Sequence, residues 1–153
     1  MANLRRNGWI EWIRETVEGG IPFLGICLGL QLLFSRSEEG EGAEGLGILP
    51  GKVVKFPPEV GIIPHMGWNR LKIASDTPLL SVVGQDSYVY FVHSYYVDPD
   101  QMEVVAATTD YGIDFVSAIV KDNIYGLQFH PEKSQAGGLQ ILRNYIEITG
   151  RGL

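Results

Sequence analysis

Two glycines bracket the only cysteine of this chain, in the order Gly25-Ile26-Cys27-Leu28-Gly29, and few folds accommodate that arrangement where it stands. Ahead of it runs Ile21-Pro22-Phe23-Leu24-Gly25-Ile26, apolar, of strand length and without alternation. Such a run suits a strand covered on both faces, as in a parallel sheet. Behind it, Leu28 to Ser35 reads as a helix with Leu28, Gln31 and Leu32 along one side. A reactive side chain between small residues at a sharp strand-to-helix turn has the form of a nucleophile elbow. Gly25 and Gly29 would let the chain turn sharply and let strand and helix approach closely. Cys27 would then open a helix, where the macrodipole and free N–H groups favour a thiolate. The backbone N–H of Leu28 would face an oxyanion formed by attack at the sulfur. A lone cysteine is otherwise most often a small buried apolar residue. The glycine context between strand and helix favours the nucleophile.

The elements around the elbow set the fold class. Asn3 to Glu18 reads as an amphipathic helix, with Trp9, Trp12, Ile13 and Val17 on its apolar side, Gly8 weakening its first half and Gly19-Gly20 as its stop. From Lys52 the character is β: Lys52 to Phe56, Trp68 to Ile73, Ser87 to Val97, Glu103 to Thr109, Phe115 to Val120 and Ile124 to Phe129. Glu38 to Gly45 is an acidic, glycine-rich loop, and Leu139 to Ile148 a closing helix with Leu139, Leu142, Tyr145 and Ile146 on one stripe. Helix, strand, helix, many strands, helix implies an α/β fold with a mixed sheet flanked by helices. With 153 residues and no internal repeat or linker, residues 1–153 are expected to form a single domain.

Composition excludes several classes. At 45% apolar and 20% charged residues, the chain is not disordered. Asp plus Glu outnumber Lys plus Arg by 18 to 12, a net charge of −6, so nucleic acid is not expected as a partner. The longest uncharged apolar run, Ile21 to Phe34, has 14 residues, fewer than the ~20 that cross a bilayer. Met1 to Arg6 has no apolar stretch behind its charges, so neither a secretory leader nor a membrane association is expected. One cysteine makes no internal disulfide and no cysteine-rich zinc site, which implies a reducing, cytoplasmic setting without a metal or cofactor.

A nucleophilic cysteine needs a base, and there are three histidines. His93 lies within a strand and could be a packed core residue. His65, in Pro64-His65-Met66-Gly67-Trp68-Asn69, sits among turn residues. His130 follows Ile124-Tyr125-Gly126-Leu127-Gln128-Phe129 at the C-terminal end of a strand, where catalytic groups collect in open α/β sheets. Pro131 ends the ladder there, and Glu132 is placed to orient the imidazole and stabilise its protonated form. His130 is therefore the expected base.

Together these residues resemble the class I glutamine amidotransferases, which carry a G-x-C-x-G-x-Q elbow and a late H-P-E. Here they read Gly25-Ile26-Cys27-Leu28-Gly29-Leu30-Gln31 and His130-Pro131-Glu132. Pro64 to Asn69, Phe91-Val92-His93-Ser94-Tyr95-Tyr96 and Gly47 to Val53 are similar to segments of one branch of that family, the glutaminase subunits of imidazole glycerol phosphate synthases. The resemblance implies a flavodoxin-like mixed sheet and a Cys27–His130–Glu132 triad that hydrolyses glutamine to glutamate and ammonia. It implies that Gln31, Glu39 and the backbone around Ser94 and Tyr95 help to hold the glutamine. It further implies a heterodimer with a (β/α)8 cyclase subunit that receives the ammonia in histidine biosynthesis, with Trp68, Asn69, Tyr90 and Lys133 near the subunit interface. For Tyr90, core packing in a tyrosine-rich strand is an equal alternative. The elbow and the H-P-E would serve equally in a glutaminase of another synthase or a γ-glutamyl hydrolase. The family also carries a strand, a helix and a P-G-x-G oxyanion strand upstream, for which the 26 residues before Cys27 leave no room. The first strand or strands and one oxyanion donor are therefore expected to be lacking, with weak turnover, or docking on the partner alone, as the consequence.

Overall fold

Runs rich in valine, isoleucine and aromatic residues build a sheet wherever their neighbours can cover them. The computed structural model describes residues 1–40 and 42–150. Its strands are β1 (Phe23–Ile26), β2 (Phe34–Ser37), β3 (Leu49–Lys55), β4 (His65–Arg70), β5 (Lys72–Ile73), β6 (Tyr88–His93), β7 (Tyr95–Pro99), β8 (Val105–Asp110), β9 (Asp114–Lys121) and β10 (Ile124–Leu127). Its α-helices are α1 (Ala2–Arg6), α2 (Trp9–Glu18), α3 (Leu28–Leu32) and α4 (Gln135–Gly150). Eight strands form one sheet along the path β1-β10-β9-β7-β3-β2, with β8 pairing to β9 and β5 to β8. The pairs β1–β10 and β2–β3 are parallel and the others antiparallel, so the sheet is mixed, as expected. β4 and β6 form a separate antiparallel pair.

Two apolar clusters use alternate strand residues. Phe115 and Tyr125 join Phe91, Phe129, Leu127 and Ile141 in one, whereas Val116 and Ile124 join Leu30, Leu33, Phe34 and Ile10 in the other. α4 closes the first cluster through Ile141, and α2 and α3 close the second through Ile10 and Leu30.

Several sequence expectations shift by a few residues, each for a local reason. The first helix is two, because Gly8 takes a left-handed φ of 70° between them. Ile10, Ile13 and Val17 face the sheet, while Trp9 and Trp12 stay exposed and pack edge to face on each other. The helix after Cys27 stops at Leu32, because Leu33 O accepts the N–H groups of Ile48 and Leu49 and Phe34 enters the sheet beside β3. Trp68 to Ile73 and Ser87 to Val97 each divide between the two sheets. β1 has both faces covered, as expected, with Leu24 packed on the first cluster and Phe23 on the second, and among the described residues it lies at the edge of the sheet beside β10. On α4 the buried positions are Gly138, Ile141 and Asn144, while Leu139 and Ile146 are exposed. Hydropathy misses this face because Asn144 is buried for its hydrogen bonds to Leu79 O and Ser81 O, at 2.9 and 2.7 Å.

Candidate active site

β1 and β10 run in parallel with Ile26 beside Leu127, and the Cys27 N–H extends the ladder to Leu127 O at 2.7 Å. The chain then turns abruptly. Cys27 has φ 51° and ψ −109° and caps the N-terminus of α3. A non-glycine residue held on this side of the backbone map stores on the order of 1–3 kcal/mol, and such strain collects at functional sites. Gly25 makes the turn possible: a Cβ there would lie 2.7 Å from the carbonyl carbon and oxygen of Gly29 and 2.8 Å from Leu30 N. A Cβ on Gly29 would meet nothing within 4 Å. Only the first glycine is thus demanded by packing, and the second faces open space.

The expected low-pKa thiol is not what the surroundings produce. Burial raises the Cys27 thiol above its ordinary value. The Leu28 N–H pulls it down, the charges of Glu132 and Glu39 push it up, and Lys133 opposes them. The helix behind Cys27 has only five residues, too short for its dipole to outweigh desolvation. A base is therefore needed to make the thiolate.

β10 supplies the surroundings. Gln128 and Phe129 are fully buried. His130 then emerges with its N–H bonded to Tyr90 O at 2.9 Å, and Pro131 to Lys133 form a 3-10 turn. That turn folds Glu132 back, so that His130 Nδ1 donates to Glu132 Oε1 at 2.8 Å, which leaves Nε2 as the free nitrogen. Burial alone would raise the Glu132 carboxyl. The His130 hydrogen bond, its own backbone N–H and the charges of His130 and Lys133 outweigh that and hold it below the usual carboxylate range. Cys27 and His130 thus leave the same ends of adjacent parallel strands. The hydrogen-bonding neighbours of the sulfur are Val92 O at 4.0 Å and Gln128 Nε2 at 3.7 Å. Gln128 is not among the residues expected at the site. Its one signal in the sequence is that of a lone amide inside the apolar run Ile124 to Phe129.

The other two histidines are core residues. His65 is not in a turn but opens β4 opposite His93 of β6. Both are buried, His65 Nδ1 and His93 Nε2 are 3.1 Å apart, and Phe56, Phe91 and Phe115 surround them. Burial lowers each to about 4; at His93 a hydrogen bond to Tyr95 O opposes it and the charges of His65 and His130 add to it. An unfolded histidine titrates near ~6.5. Below that pH the unfolded chain takes up protons that the folded chain refuses down to about 4. Their contribution to stability is therefore complete above the unfolded value and is lost as pH falls across that window. Thermal melts should show Tm lower by several degrees at pH ~5 than at pH ~7.5, a range above most carboxylate titration. An unchanged Tm would mean that the pair takes up protons in the fold as readily as in the unfolded chain.

The remaining expected residues fall into two groups. Leu28, Gln31 and Glu39 line one cavity of about 120 Å³ together with Leu32 and Ser37. Gln31 is buried, and its Nε2 is spent on Tyr95 O at 2.9 Å and Gln128 Oε1 at 3.0 Å, which leaves its oxygen as the free group. The carbonyls of Ser94 and Tyr95 are also engaged internally, with the Phe56 N–H and with Gln31 and His93. On the β4–β6 pair, Trp68 lies opposite Tyr90 with rings edge to face at 6.0 Å, and Lys133 Nζ stands 6.0 Å above the Tyr90 ring. Trp68, half-buried Tyr90 and Lys133 therefore share one surface, with exposed Met66 and Tyr88 beside them. Asn69 does not belong to it. One residue along from Trp68, it points to the opposite face and donates to His65 Nε2 at 3.3 Å and Asp110 O at 2.8 Å.

The candidate site is thus a strained cysteine between β1 and α3 with a histidine–glutamate pair just past the end of the neighbouring parallel strand. The chain belongs to the class-I glutamine amidotransferase family, which matches residues 2–148. Within that family it is similar to imidazole glycerol phosphate synthase subunit HisH. It is 51% identical to that subunit from Geobacillus thermodenitrificans over 99% of this chain and 73% of the relative. It is 52% identical to the one from Syntrophotalea carbinolica, over 97% and 75%, and 51% to the one from Methanocaldococcus jannaschii, over 90% and 69%. Among solved structures, a glutamine amidotransferase superposes with a TM-score of 0.70 at 21% identity, covering 96% of this chain and 71% of that one. Another glutamine amidotransferase, from Thermotoga maritima, gives 0.63 at 23%, covering 96% of this chain and 54% of that one. These two support the fold alone. No helix among the described residues is long and apolar enough to cross a membrane.

Proposed function

We propose that this chain is a glutamine-hydrolysing subunit of an imidazole glycerol phosphate synthase, acting in the cytoplasm as a heterodimer with the synthase's (β/α)8 subunit. The observation that carries the reading is Cys27 at φ 51° on the elbow, with the His130–Glu132 pair leaving the same end of the neighbouring parallel strand. Cys27 sulfur attacks the carboxamide carbon of glutamine while His130 Nε2 takes the thiol proton, and the Leu28 N–H faces the developing oxyanion. The carbon–nitrogen bond then breaks, His130 returns the proton to the nitrogen and ammonia leaves a glutamyl thioester on Cys27. Water attacks the thioester with His130 again taking a proton, glutamate departs and the thiol is restored. Glu132 keeps the Nδ1–H in place throughout and stabilises the charged imidazole. Glutamine occupies the cavity at Leu28, Gln31 and Glu39, where the Gln31 oxygen and the Glu39 carboxylate suit its ammonium group.

A diazoketone analogue of glutamine tests this directly. One equivalent should attach, at Cys27, and glutamine should protect against it. Equal labelling with and without saturating glutamine would contradict the reading.

The ammonia passes to the synthase subunit, which docks on the surface of Trp68, Tyr90 and Lys133. Tyr90 ties that surface to the site, because its carbonyl holds the His130 N–H and its N–H is held by Ser134 Oγ at 2.9 Å. Trp68 is 44% exposed and outside both cores. Trp68→Ala should weaken binding to the synthase subunit by ~2 kcal/mol, about 30-fold in Kd, at unchanged Tm. Wild-type affinity in a titration would remove Trp68 from the interface.

A further inference from the structure

One buried polar side chain that the mechanism above does not use touches the nucleophile. Gln128 is wholly buried, yet its amide reaches the Cys27 sulfur. One backbone carbonyl fixes the direction of every hydrogen bond around it. Tyr95 O can only accept, and it receives Gln31 Nε2 at 2.9 Å and His93 Nδ1 at 2.8 Å. Gln31 must therefore turn its NH2 to this side, and it donates again to Gln128 Oε1 at 3.0 Å. With its oxygen so engaged, Gln128 presents its own NH2 to Cys27 Sγ at 3.7 Å. On the other branch, His93 carries its proton on Nδ1. Its Nε2 accepts from His65 Nδ1, and His65 Nε2 accepts from Asn69. Both histidines are neutral and neither can rotate without setting two donors or two acceptors against each other.

We propose that Gln128 is a positioning residue for Cys27: its amide, locked by Gln31 and the Tyr95 carbonyl, donates an N–H to the sulfur and holds the thiolate aimed for attack. The proposal rests on Cys27 being the nucleophile. It explains how a thiol that burial disfavours as an anion is ionised in place. Glu132 and Glu39 oppose the thiolate, while Lys133 and the Leu28 N–H favour it, and His130 stands at the end of the adjacent strand. A second fixed, neutral donor in a site of low dielectric favours the charged form without reorganising.

Cys27 is the only thiol, so its ionisation can be followed by the rate of alkylation with iodoacetamide against pH. Gln128→Met, similar in volume and without a donor, should raise the midpoint by about one unit and slow alkylation at pH 7 about tenfold. Gln31→Met, which frees the amide without touching the sulfur, should move it less and in the same direction. A wild-type midpoint in a Gln128→Met chain that melts cooperatively would overturn the proposal. Should Gln128→Met fail to fold, the unaltered chain decides. Its Gln128 side-chain amide protons should shift in NMR spectra with the midpoint of Cys27 alkylation, and protons that stay fixed would overturn the proposal. In glutamine turnover, Gln128→Met should lower kcat and leave KM nearly unchanged. A shifted alkylation midpoint in a chain whose wild type hydrolyses no glutamine would sustain the positioning role and contradict the glutaminase reading.

Discussion

Cys27→Ala is expected to reduce glutamate release to the uncatalysed background, a loss on the order of 10⁴-fold or more in kcat, as when the nucleophile of a triad is removed. Cys27→Ser should fare no better, because a hydroxyl is far less acidic than a thiol that burial has already raised. Neither change should unfold the chain. The residue is only partly buried, it belongs to neither apolar cluster, and the ladder bond it makes uses its backbone. Relief of a positive φ could even raise Tm if glycine were placed there. Glutamate release by Cys27→Ala at the wild-type rate would remove the sulfur from the chemistry.

The second large effect belongs to His130. His130→Asn should lower kcat by ~10²–10⁴ with KM little changed, the usual scale for losing a general acid–base. Its residual rate should climb with pH, since the raised thiol must then ionise without help. Glu132→Gln should cost less, because it removes only the group that orients Nδ1. His93→Asn should act on stability rather than on chemistry, as its ring is enclosed by Phe56, Phe91 and Phe115 and hydrogen-bonded at both nitrogens. A His93→Asn chain of wild-type Tm and abolished turnover would exchange the roles of the two histidines.

What is legible in the sequence follows from how local the cause is. The elbow is legible because Gly25 and Cys27 meet a constraint between near neighbours: a close backbone approach to Gly29 and an abrupt turn. The His130–Glu132 pair is legible because Pro131 folds two neighbours together. The reactivity of the thiol is not, since desolvation of Cys27 is set by chain far away in sequence, such as Val92 and Gln128. His65 reads as a turn residue because its flanking proline and glycine hide a strand that exists only through pairing with β6. Trp9 and Trp12 read as core because their size outweighs the better spacing of Ile10, Ile13 and Val17. The resemblance groups Asn69 with Trp68, although alternation along β4 sends them to opposite faces. The edge position of β1 is a property of the whole sheet order, which no single segment announces.

The central claim is that Cys27 and His130 together hydrolyse glutamine. The most direct measurement is glutamate released from glutamine by this chain and by its Cys27→Ala variant, each with and without the (β/α)8 synthase partner. A rate that requires Cys27 and rises when that partner is added is the predicted result, even if the chain alone turns over slowly. Equal rates for the two chains under both conditions, with the partner bound and both chains folded, would contradict it and leave only a docking role.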